Sequence, residues 1–125
     1  MSKLLVDSTT YMTRLAKLAQ GLLGVDKSTG KTVYLTDTSK FTDEEKIFLT
    51  LLGRYFSKEL GKSDSDTCKP AEIAQESGLN EKTVSKRLSD LEKDRFAEST
   101  SRGLHGIVPA NAERMLTQIR EKIKE

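Results

Sequence analysis

The chain is short of the residues that most chemistry depends on. Its 125 residues include one cysteine, Cys68, and one histidine, His105. A single cysteine excludes an internal disulfide and points to a reducing, cytoplasmic setting. One Cys and one His also leave no Cys/His set for structural zinc, and too few groups for a nucleophile with its base. No cofactor and no enzymatic activity are expected. No apolar run approaches the roughly 18 residues that a membrane span needs, so no membrane contact is expected. The opening "MSKLLVDSTTYMTRLAKLAQ" has no long apolar stretch and no clear small-residue cleavage site, so it does not read as a signal peptide. Repeats and low-complexity tracts are missing as well.

Net charge is also scarce: 21 Lys and Arg against 19 Asp and Glu leave +2. That excludes a basic coat for nucleic acid. Residues 1–30 carry four bases against two acids, residues 62–80 two against four, and residues 81–105 six against five. Any nucleic-acid face must therefore come from which way side chains point.

What is present is a series of short helical and extended patterns. Leu4, Leu5, Tyr11, Met12, Leu15 and Leu18 fall on one helical face within residues 3–20. The "DSTT" at 7–10 weakens the front half, so Asp7 or Ser8 is a cap for a helix over about 9–20. Two β-prone runs, 22–25 and 32–36, flank "DKSTGK" and predict a hairpin in which Gly30 takes positive φ. "FTDEEKIFLTLLGRYFSKELG" predicts the strongest helix. Thr42 and Glu45 form a capping box, Asp43 and Glu44 suit its positive end, and Gly61 stops it. Gly53, in its middle, calls for close approach of another element, since glycine there costs about 1 kcal/mol relative to alanine. Pro70 opens a short helix over 70–77, Gly78 ends it, and Asn80 caps the next, 81–93. "FAESTSRGLHGIVPA" predicts two strands, with Phe96 and Glu98 in the first and Ile107 and Pro109 in the second. "NAERMLTQIREKIKE" predicts a final helix capped by Asn111.

The segment "PAEIAQESGLNEKTVSKRLSDLEKDRFAE" followed by "SRGLHGIV" resembles the winged helix-turn-helix family of DNA-binding domains, over roughly residues 42–109. With "LLGRYF" ahead of the motif, the style is most similar to small archaeal winged-helix regulators. The resemblance implies an α+β, mainly α fold. A winged helix-turn-helix domain occupies 41–109, with an N-terminal helix and hairpin at 1–40 and a C-terminal helix at 110–125 added to it. It implies that helix 81–93 lies in the major groove of double-stranded DNA. The wing, 99–106, touches phosphate or the minor groove, and the role is that of a transcription regulator.

Helical geometry agrees. With Val84 at zero and about 100° per residue, Leu88 and Leu91 share its face while Lys82, Lys86, Ser89 and Lys93 lie opposite. Lysines suit phosphate; Ser, Thr and Asn reach phosphate or base edges. The candidate DNA contacts are therefore Asn80, Lys82, Thr83, Ser85, Lys86, Ser89 and Lys93, with Arg102 and His105 at the wing. Arg87 is lateral. Solvated helix faces also carry Lys and Ser, and winged helices also dock proteins. A protein-binding adaptor is thus the rival, and the nearby acids Glu81, Asp90, Glu92 and Asp94 oppose tight nonspecific DNA binding. "GVDKSTGKT" ends like a phosphate-binding loop, but Val25 stands where the first glycine belongs. Finally, apolar stripes at both ends, one of Tyr11, Met12, Leu15 and Leu18 and the other of Met115, Leu116, Ile119 and Ile123, suggest a homodimer held by the added helices.

Overall fold

The computed structural model describes residues 8–63, 65–101 and 103–123. Among them are five α-helices and two antiparallel two-stranded hairpins, an α+β fold that is mainly helical. Helix α1 covers Ser8–Ala19. Strands β1, Leu23–Val25, and β2, Thr32–Tyr34, make the first hairpin. Helix α2 is Asp43–Glu59, α3 is Pro70–Ser77 and α4 is Glu81–Lys93. The second hairpin pairs β3, Ala97–Ser101, with β4, Leu104–Ile107, and α5, Pro109–Ile123, follows. Ser8 lies inside α1, one residue ahead of the expected start, and Asp7 lies outside the described residues.

Helix α2 is the centre of the molecule. The Thr42–Glu45 capping box is closed in both directions, at 2.8 and 3.2 Å. The helix buries Ile47, Phe48, Leu49, Leu51, Leu52, Tyr55 and Phe56, so it is covered on nearly every side. The first hairpin lies against it. A Cβ at Gly53 would come within 2.6 Å of Thr32 Cγ2, which is the close approach that a mid-helix glycine demanded. Thr32 Oγ1 donates to the Thr50 carbonyl, and the Tyr34 hydroxyl reaches the Lys46 carbonyl.

The turn between α3 and α4 follows the sequence closely. Glu72 accepts from the Lys69 N–H at 3.0 Å. Gly78 takes the left-handed conformation, φ 79, that ends α3. Asn80 Oδ1 accepts from the Thr83 N–H at 2.8 Å and starts α4. Ile73 from α3 and Val84, Leu88 and Leu91 from α4 are buried. Cys68, just ahead of α3, pairs with His105 through two backbone hydrogen bonds of 2.8 Å, so a one-residue bridge lies along the free edge of β4.

Two expectations need correction. The last helix begins at Pro109, not after Asn111, because proline suits the first helical position and so cannot also close β4. Asn111 is no cap: its side-chain amide donates to the Arg95 carbonyl at 2.8 Å and ties α5 to the chain between α4 and β3. The second correction concerns the two terminal stripes, which cover each other within one protomer. Helix α1 packs on α5, and Leu15, Ala19, Met115, Leu116 and Ile119 join one continuous core with α2. Polar ties reinforce the contact. Arg14 makes a two-pronged ion pair with Glu113 at 2.8 and 2.9 Å, Arg120 donates to the Gln20 carbonyl, and Lys122 reaches Glu45. The uncovered stripes that suggested a homodimer through these helices are therefore absent among the described residues.

Candidate nucleic-acid interface

Helix α4 sets the candidate surface. With Val84, Leu88 and Leu91 anchored in the core, Lys82, Ser85, Lys86, Ser89 and Lys93 are all exposed. Lys82, Lys86, Ser89 and Lys93 recur at helical spacing and so form one line along the outer face. Among the described residues none of these three lysines has an ion-pair partner. Contrast Arg14, Arg54, Arg87 and Lys122, each engaged by a carboxylate. An unpaired ammonium on a helix surface loses little when it moves to a phosphate, because no existing pair has to break.

Asn80, Lys82 and Ser85 line a wide, open depression at the start of α4, together with Glu81. Asn80 is exposed, but its carbonyl oxygen is committed to the cap, which leaves only its amide N–H groups for a partner. Thr83 is half-buried and stands to one flank. Arg87 stands on the other side, paired with Asp90 at 3.2 Å. Glu44 sits nearby, and burial, followed by the Asp90 charge, raises its carboxyl pKa. Arg87 thus lies beside the α2 N-terminus, with Thr42, Asp43 and Glu44, in the lateral position expected of it.

The β3–β4 hairpin follows α4 directly along the chain. A register shift between Ser99 and Ser101 and a left-handed Gly103, φ 66, shape its tip. Arg102 lies outside the described residues. His105 meets a carboxylate of its own chain. Its Nδ1 lies 2.7 Å from Glu92 Oε1 in the last turn of α4, and its side chain is 16% exposed.

Comparison with known proteins finds no matching family model, no matching curated protein and no matching solved structure. Among the described residues no cluster of three or more His, Cys, Asp or Glu could hold a metal ion, and no helix is long and apolar enough to cross a membrane. Cys68 is fully buried, and burial pushes its thiol up to about 12.

Two connections have no trace in the sequence pattern. One is the Glu92–His105 pair. The other is a buried tie behind α3, in which Glu76 accepts from the Thr32 N–H at 3.0 Å and pairs with Arg54 at 2.6 Å. Its partners come from a strand and two helices, and no periodicity links positions so placed.

Proposed function

We propose that the chain binds double-stranded DNA as a winged helix-turn-helix protein and acts as a transcription regulator. Helix α4 enters the major groove and the hairpin loop, 99–106, reaches the backbone. The observation that carries this reading is the line of exposed residues on α4, Lys82, Lys86, Ser89 and Lys93, whose lysines have no ion-pair partner among the described residues. The left-handed turn at Gly78 and the hairpin directly after α4 support it. The modest net charge fits a protein that holds DNA through few phosphate contacts, with limited nonspecific affinity.

The test is the salt dependence of binding to a short duplex. Lys82→Ala with Lys86→Ala leaves the core face of α4 untouched, so the fold should persist. Affinity should fall, and the slope of log affinity against log salt should shrink by about two. Unchanged binding by the double variant would overturn the major-groove placement.

The rival is a protein-docking adaptor, favoured by the exposed acids at the two ends of α4, Glu81 and Asp94. An adaptor shows no salt-dependent retention on duplex DNA. A homodimer would let two copies read half-sites about one helical turn apart. Of the large apolar side chains, Val33, Leu35 and Leu60 are exposed, and such a contact is to be sought there. Light scattering separates a 14.0 kDa protomer from a pair.

A further inference from the structure

His105 carries two sets of contacts at once. Its backbone exchanges two hydrogen bonds with Cys68, two residues ahead of Pro70, where α3 begins. Its ring meets Glu92 at 2.7 Å, in the final turn of α4. An ionised carboxylate can only accept, so Nδ1 carries the hydrogen in this contact. The next residue is Gly106, where a Cβ would stand 3.2 Å from the Asp66 carbonyl oxygen, so the connector lies tight against β4. At this one position, then, β4 is fastened both to the lead-in of α3 and to the end of α4.

Resting on the DNA-binding reading above, we propose that His105 and Glu92 form a clasp. It fixes the angle between the β3–β4 hairpin and α4, so that the hairpin loop and the lysine line meet one duplex together. His105 is thus a positioning residue, not a DNA contact. The orientation of this short hairpin is also shaped by β4 packing on α2, by β3 packing on α4 and by the Cys68 bridge, and the clasp adds a side-chain tie to these. Glu92 serves DNA binding although its charge opposes it.

That opposition supplies a test with opposite signs. If Glu92 acted through charge alone, Glu92→Ala would remove a repulsion and strengthen duplex binding. If it acts as half of a clasp, Glu92→Ala weakens binding and lowers the salt slope by about one, because phosphate contact from the hairpin is lost. His105→Ala should do the same, and the double variant should be no worse than either, since both remove one interaction. His105→Gln keeps an N–H for Glu92 and should restore the slope. Amide hydrogen exchange of the full-length protein without DNA gives a second readout. Exchange at Glu98 and Gly106, which face each other across the hairpin, should quicken by about tenfold in either alanine variant, as a locally freed hairpin does. Should the wild type bind duplex with salt dependence while Glu92→Ala binds as well or better, the clasp is overturned and the DNA reading stands. Should the wild type show no such binding, the DNA reading falls, and the clasp falls with it as a DNA-positioning device.

Discussion

Arg95 holds a left-handed backbone, φ 64, and among the described residues it is the only non-glycine that does. The conformation costs an L side chain about 1–2 kcal/mol, and glycine returns part of any gain as entropy. Arg95→Gly should therefore stabilise the protein by about 0.5–1 kcal/mol, read as a higher urea midpoint with an unchanged slope. Gly53 is the opposite case. Gly53→Ala forces a methyl into Thr32 and should cost about 1–3 kcal/mol, and Thr32→Ala in the same chain should recover only part of it, because the Cβ that remains stands 2.8 Å away. Cys68 is an inert residue by its surroundings. Burial pushes its thiol up to about 12 from an ordinary 9.0; the Arg54 charge opposes that rise, and the Glu76 and Glu72 charges add to it. Alkylation at pH 8 should thus proceed only as fast as the fold opens. Tyr34 is likewise raised to about 12 by burial, from an ordinary 10.0. Both groups hold their protons more tightly when folded, so their contribution is full below about pH 9. It is lost as pH rises toward about 12, and alkaline unfolding measured by circular dichroism should fall in that window.

At the scale of elements, legibility followed locality. Capping at Thr42 and Asn80, the stop at Gly78 and the core face of α4 are set by residues within a few positions of one another, and the structure has each of them as the sequence predicted. The start of α5 was misplaced because Asn111 has the chemistry of a cap, yet Pro109 was already fixed for the first turn and Asn111 met the Arg95 carbonyl instead. The site was legible to the same degree. The exposed line of α4 follows from periodicity alone, whereas the direction of the His105 ring depends on Glu92, which only the folded hairpin brings near. The Arg54–Glu76 pair shows the same limit. Its side chains are 14% and 5% exposed, and Glu76 also holds the Thr32 amide. Glu76→Ala leaves a buried guanidinium without its main partner and should cost about 3 kcal/mol. Chemical denaturation would show it, and amide exchange should quicken in both α3 and β2.

For the whole molecule, the governing fact is that α1 and α5 share a core with α2. Ile119 is fully buried, so Ile119→Glu should unfold or aggregate the protein, not release a well-folded monomer from a dimer. A stable, monodisperse Ile119→Glu protein would contradict the packing. This contact also sets an order of events in the living cell. Arg14 and Glu113 are 99 residues apart in sequence. At about 5–20 residues per second, a ribosome takes on the order of ten seconds to deliver the second after the first. Throughout that interval Leu15 and Ala19 have emerged while the helix that covers them has not. Nascent chains of this protein should accordingly be held by chaperones that grip exposed apolar segments, and should become resistant to protease only once α5 has cleared the exit tunnel.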